Sequence, residues 1–267
     1  VAAGDVHVDY TTINSKRCAI FDGVDDNISI NNTDLPAGFF TQGFSVSCWI
    51  NPTSFGEAHE RIVDKSTGTS AQDGFFVQLR NTGAIIVQVN GGTLRGSTSS
   101  AVSVTNGLWK HIVATVSNNS TVTIYIDGVQ DGTIAASGAL SGITTGNDMR
   151  IGNRSEATDR SWDGAIGDLK LFNTVLSQEE VTDLLNGVSV TRGLEHQWLH
   201  NKTDFTDEIG SANGTNTGSR ITIKDDALQV TLETGAPTDS RISGAEFFDL
   251  WDAKLNTIGT VVIEGVQ

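Results

Sequence analysis

Apolar and polar residues alternate one for one through most of the first two thirds of this chain, a period that only β-strands with one buried face can use. In FSVSCWI (44–50), Phe44, Val46, Cys48 and Ile50 share a face; in TVTIYIDG (121–128), Val122, Ile124 and Ile126 oppose Thr121, Thr123 and Tyr125. Similar runs stand at VHVDY (6–10), CAIFDG (18–23), RIVDKS (61–66), GFFVQLR (74–80), AIIVQVN (84–90), WKHIVATVS (109–117) and GAIGDLKLF (164–172). Turn chemistry separates them. RNTGA (80–84) offers Gly83 for a positive φ, and IDGVQ (126–130) carries the Asp-Gly pair favoured in two-residue hairpins. With only 3 prolines to interrupt strands, the pattern predicts an all-β, antiparallel two-sheet sandwich or jelly roll.

One segment reads differently. In LSQEEVTDLLNG, Ser177 is placed to N-cap a short helix with Glu180 as its capping-box partner, Val181, Leu184 and Leu185 form the apolar stripe, and Gly187 ends it. Beyond it the pattern weakens into EHQWLHNKTDFTDEIGSANGTNTGSR (195–220), then regains strand character in ITIKDD, ALQVTLE and TVVIEGV. A sandwich domain is therefore expected over 1–220 and a β-rich C-terminal extension over 221–267. No fixed-period repeat points to a solenoid.

Charge narrows the partners. With 32 acidic and 17 basic residues, a formal net charge of -15, the chain repels phosphate backbones and anionic membranes, so neither nucleic acid nor membrane insertion is expected. No apolar run approaches the roughly 20 residues of a membrane helix. The opening VAAGDVHVDY neither displays nor excludes a secretion signal. A surface built from Asn, Thr, Ser, Asp and Gly suits an extracellular, cell-surface or virion-exterior protein. Cys18 and Cys48 fall in separate predicted strands, and spacing alone does not decide whether they are bridged or are buried free thiols.

Read in order, CAIFDGVDDNISI, FSVSCWINP, GLWKHIVATVSNNSTVTIYIDGVQDG, MRIGN and WDGAIGDLKLFNTVLSQEEVTDLL resemble the laminin-G-like domains of the concanavalin A-like jelly-roll superfamily. The resemblance spans roughly residues 17–186. It implies a ligand-binding face or loop rim and often one calcium ion. In similar domains an acidic residue of the FDG turn pairs with one in a late strand. That expectation falls on Asp22 and Asp168, with Asp26 behind them, although Gly167 stands where the family often has Asp. Calcium takes 6–8 oxygen ligands, and FDGVDD offers Asp22, Asp25 and Asp26; the plain alternative is a turn whose acids face water.

Two further sets of residues are candidates. In the polar loop GNDMRIGNRSEATDRSWDG (146–164), Trp162, Arg160, Arg154 and Asp159 make an expected sugar-contacting cluster, an aromatic face beside hydrogen-bonding groups. Trp109 is expected in the core instead. In the tail, Phe247, Phe248, Leu250 and Trp251 are expected at an interface for self-association or docking onto other subunits. His196 and His200 lie four apart, but in a segment that reads as extended and without the H-E-x-x-H order.

Signs of catalysis are weak. The superfamily's hydrolase signature E-x-D-x-x-E does not occur, and neither does a G-x-S-x-G elbow. The expectation is thus a non-catalytic attachment module that binds carbohydrate with calcium assistance. The main alternative is a purely structural decoration, tail or fibre protein of a virion or surface layer, with a hydrolase or lyase of the same fold behind both.

Overall fold

A computed structural model describes residues 6–8, 16–35, 37–54, 56, 58–67, 73–90, 94–98, 104, 106–118, 121–134, 146–199, 204–224 and 230–232. The chain divides into two units, Lys16–Lys224 and a smaller one joining Val1–Ser15 to Asp225–Gln267. In the smaller unit β1 (Val6–Val8) pairs antiparallel with β17 (Val230–Leu232).

The larger unit is a sandwich of two antiparallel sheets. One runs β11 (Val129–Ile134), β10 (Val122–Ile126), β9 (Lys110–Ser117), β4 (Gly43–Pro52), β13 (Asp163–Phe172), β2 (Lys16–Asp22) and β16 (Arg220–Lys224), with β14 (Leu194–Trp198) also paired to β13. The other runs β15 (Gly214–Thr217), β3 (Asn27–Ile30), β12 (Met149–Ile151), β5 (Glu60–Ser66), β6 (Gly74–Leu79), β7 (Ile85–Asn90) and β8 (Leu94–Thr98). The boundary expected after residue 220 falls inside β16, whose pairing with β2 carries the sandwich to Lys224.

Alternation decides what lies between the sheets. Phe44, Val46, Cys48 and Ile50 of β4 and Ile112, Ala114 and Val116 of β9 meet Phe75, Val77 and Leu79 of β6 and Ile85, Val87 and Val89 of β7 in one buried cluster. Both hairpins form at the anticipated turns. Asp127 and Gly128 take φ of 49° and 78°, and Gly83 takes 80°. Cys18 and Cys48 are buried free thiols. They sit on strands separated by β13 and belong to clusters on opposite faces of the sheet, so no bridge can form. Burial pushes the Cys48 thiol up to about 12, which leaves it unreactive.

Helix α1 (Gln178–Leu185) has both capping-box bonds, and it ends in a Schellman motif, Val188 N–H to Asp183 O and Gly187 N–H to Leu184 O. Val181 and Leu184 pack on Val113, Tyr125 and Phe172 over the outer face of the eight-stranded sheet. Ser177→Ala is expected to lower stability by about 1 kcal/mol in chemical denaturation without altering the sheets, because it removes the acceptor for the Glu180 amide.

Strand β13 changes partners midway. It pairs with β2 as far as Ile166↔Ala19, bulges at Gly167 and Asp168, and then pairs with β14 from Leu169↔Trp198. Asp168 holds a left-handed φ of 44°, and its carboxylate takes a hydrogen bond from Gln197 Nε2 at 2.7 Å and the Lys170 ammonium. A side chain at Gly167 would start 2.6 Å from the Arg17 carbonyl, which accounts for glycine there.

Candidate functional site

The β2–β3, β4–β5, β12–β13 and β15–β16 connections meet at one rim of the sandwich. FDGVDD is the first of them. Asp26 Oδ2 accepts from the Asp22 amide at 3.0 Å, and Asp22 Oδ1 accepts from the Val24 amide at 2.9 Å, which curls the turn so that its acids point together. Asp22, Asp25 and Asp26 each offer an oxygen within 4.8 Å of the others. Asp22 and Asp25 are exposed; Asp26 is buried against Gly218, whose φ of +82° and missing Cβ leave room for its carboxylate. Burial, and then the Asp22 and Asp25 charges, raise the Asp26 pKa in spite of the Asp22 amide.

This donor set fits a hard divalent cation. Three like charges converge, none of them in an ion pair with Lys or Arg among the described residues, and the Asp22 and Asp26 carboxylates keep lone pairs beyond the one backbone bond each accepts. Asp168 does not take part. The residue opposite Asp22 across the sheet is Asp163, and Asp168 lies five residues further along β13, roughly 16 Å away at strand rise. The expected pairing of Asp22 with Asp168 is therefore not formed. Asp163 instead lies against the turn, where a Cβ on Gly23 would approach it to 2.9 Å, and accepts a bond from Ser54 Oγ at 2.5 Å. Asp163 was visible in WDG, but only the register assigns it to this rim.

The β12–β13 connection backs the turn. Trp162 O accepts from Gly23 N–H at 3.0 Å, Ser161 Oγ donates to Val24 O at 2.6 Å, and Asn153 Nδ2 donates to Asp26 O at 3.4 Å. Of the four expected sugar contacts, Trp162 is corrected: it is 0% exposed and part of the central core cluster. A tryptophan in a polar loop presents no periodicity to betray its burial. Arg154 and Asp159 do lie together, with Nε 3.0 Å from Oδ1, and Arg160 is half-buried beside them. Trp109 is buried with Trp49 and Cys18.

Other candidates fall elsewhere. His196 is bonded to Asp207 through Nδ1 at 2.6 Å, and His200, Phe247, Phe248, Leu250 and Trp251 lie outside the described residues. Among the described residues no helix is long and apolar enough to cross a membrane.

Comparison with known proteins bears on this arrangement. Among solved structures, a putative carbohydrate binding protein from Bacteroides ovatus superposes with a TM-score of 0.59 at 19% identity, covering 82% of this chain and 62% of that one. The chain thus spans under two thirds of that protein. The heptameric SAP-like pentraxin of Limulus polyphemus has a TM-score of 0.51 at 16% identity over 85% of this chain and 98% of its own. The CBM40 of the Ruminococcus gnavus IT-sialidase, bound to α2,3 sialyllactose, has 0.51 at 14% identity over 64% and 98%. At these identities the likeness is one of fold. A comparison with curated protein sequences gave no significant match. The laminin G family model described as the Concanavalin A-like lectin/glucanases superfamily matches residues 22–182, from the acidic turn to the capped helix. With two antiparallel sheets in jelly-roll arrangement and that match over more than half its length, the chain belongs to the concanavalin A-like lectin/glucanases superfamily as a laminin-G-like domain.

Proposed function

We propose that the chain is a non-catalytic attachment module that binds carbohydrate at the rim formed by FDGVDD and the β12–β13 connection, with a calcium ion held by Asp22, Asp25 and Asp26. The convergence of three carboxylates within 4.8 Å is the observation that carries this reading. Calcium bound there would present open coordination positions to sugar hydroxyls, which neutral oxygen ligands fill well. Rigid sheets on both sides hold the loops in place, as binding loops require. The fold's carbohydrate-binding neighbours lend support, and the acidic, polar composition suits a place outside the cell or on a virion exterior. Self-association belongs to the same proposal, since several weak sugar sites on one assembly multiply avidity.

The test is a broad immobilised-glycan panel, probed in calcium and again in chelator, with wild type, Asp25→Asn and Asp22→Asn. Both residues are exposed, so both variants should keep the wild-type melting temperature in chelator. Binding is expected only in calcium and should fall at least about 10-fold in each variant. Glycan binding that is equal in calcium and chelator would remove the metal from the account; no binding to any glycan would remove the function.

A further inference from the structure

The outer face of the seven-stranded sheet carries charge opposite to that of the chain. Against a formal net charge of -15, Arg61 on β5, Arg80 in the β6–β7 turn, Arg150 on β12, and Arg154 and Arg160 in the β12–β13 connection gather on one side. Register fixes the face. Arg61 stands opposite Gln78, and Asp64 opposite both Phe76 and Arg150, while Val63 and Val77 between them point into the core. The loop is drawn onto this face by Arg61 N–H to Arg160 O at 3.0 Å and by Arg150 Nη1 to the Arg154 and Ala157 carbonyls at 3.1 and 3.2 Å.

Asp64 and Asp159 stand beside these arginines, and both are engaged. Asp64 takes Arg61 Nε at 2.7 Å and Ser66 Oγ at 2.6 Å, and Asp159 lies at the solvent edge beside Arg154. What remains is a surplus of cationic donors. Among the described residues the Nε atoms of Arg150 and Arg160 are buried without a hydrogen-bond partner, as is Gln78 Oε1, while Arg154 Nε meets the exposed Asp159 carboxylate at 3.0 Å. Arg160 makes no ion pair and no side-chain hydrogen bond among the described residues. His59, half-buried, lies 3.2 Å from Gln78 Nε2. Burial first, then Arg160, Arg61 and Arg80, hold its pKa below the ordinary value, so it stays neutral beside the arginines.

We propose that this face binds the carboxylate of an acidic sugar, with Arg160 and Arg154 as the anion contacts and His59 and Gln78 hydrogen-bonding the ring. The inference rests on the carbohydrate-binding reading and names the class of sugar. A guanidinium is a planar fork that matches a carboxylate bidentately, and unpartnered donors at a partly buried site gain most from an arriving anion. Chain-wide acidity limits the length of the ligand. A polyanion extending more than a Debye length, about 8–10 Å in physiological salt, would meet the negative field of the remaining surface, so a short, singly charged oligosaccharide fits best.

Calorimetry on the full chain in calcium tests this with α2,3-sialyllactose and a glucuronic-acid disaccharide, each beside its methyl ester and its uncharged parent, and with a sulfated lactose. At least one acid is expected to bind about 10-fold or more tightly than its own ester. That preference should vanish in Arg160→Ala, return in part in Arg160→Lys, and weaken in high salt, while melting temperatures stay unchanged. Arg154→Gln, which leaves the Arg160 guanidinium in place, should reduce the preference without abolishing it. Neutral sugars binding as well as the acids would overturn this inference and leave the carbohydrate reading standing. An acid preference that persists in Arg160→Ala with Arg154→Gln would overturn the location, a preference for the sulfate would overturn the carboxylate assignment, and absence of binding to every glycan would overturn both readings.

Discussion

Replacing Asp207 by alanine is expected to remove about 4 kcal/mol of stability, because one carboxylate terminates four donors, three of them on buried residues. Its Oδ1 accepts the Gln197 and Ile209 amides at 3.0 and 3.1 Å, and its Oδ2 accepts the Ala212 amide at 3.1 Å and faces His196 Nδ1 at 2.6 Å. These bonds fasten β14 to the segment leading into β15, and with it the changeover on β13. Alanine would leave the three donors of Gln197, Ala212 and His196 buried and unmatched, each at a cost of roughly 1–3 kcal/mol before relaxation. Urea denaturation should give a lower midpoint with an unchanged slope, and Asp207→Asn, which keeps one acceptor oxygen, should lose about half as much.

The same carboxyl sets an acid limb. Burial alone would raise its pKa, but His196 and the Gln197, Gly210 and Ile209 amides outweigh burial and hold it down to about 2. A group with a depressed folded-state pKa contributes fully above its unfolded value near 4 and loses that contribution as pH falls through the folded value. About 2 kcal/mol should therefore disappear between pH 4 and pH 2 in the wild type, and that part of the acid limb should be missing from Asp207→Asn. A wild-type midpoint in Asp207→Ala would contradict the role assigned to this carboxylate.

Trp162→Ala is the second large effect, and it separates two roles for one residue. A sugar-stacking tryptophan would lose binding and keep stability on truncation. Trp162 is 0% exposed, packed in the inter-sheet core, and its backbone binds Gly152 O at 2.9 Å and Gly23 N–H at 3.0 Å. Truncation to alanine should thus cost about 3–5 kcal/mol, and the calcium-dependent binding of the remaining folded fraction should weaken as the loop behind FDGVDD loosens. Trp162→Phe keeps most of the apolar volume and removes an indole N–H that has no partner among the described residues, so its cost should be smaller, about 1–2 kcal/mol. Unchanged stability in Trp162→Ala would return this residue to the surface.

Strands, hairpins and the capped helix were legible because each depends on residues adjacent in sequence: alternation in β4 and β10, Asp127-Gly128 in a two-residue turn, Ser177 with Glu180. Features requiring register were not. Asp168 looked like a displaced ligand because a sequence does not display where β2 stops and β14 takes over; the bulge there turns its carboxylate to Gln197 and Lys170. Asp163 went unassigned for the same reason. Trp162 was misplaced because its neighbours Arg160, Ser161 and Asp163 are polar, and a lone aromatic within a loop has no period to reveal its face. The arginines of the seven-stranded sheet come from segments up to 99 positions apart, and only the pairing of β12 with β5 brings them together.

The most direct measurement is backbone-amide shift mapping of the labelled chain, titrated first with calcium and then with a glycan that scores on the panel. The expected result is a saturable calcium response confined to Asp22–Asn27 and Gly152–Asp163, followed by glycan-dependent shifts in the same connection. Saturable glycan shifts centred on α1 and the outer face of the eight-stranded sheet, or no calcium response in FDGVDD, would contradict a binding site at this rim.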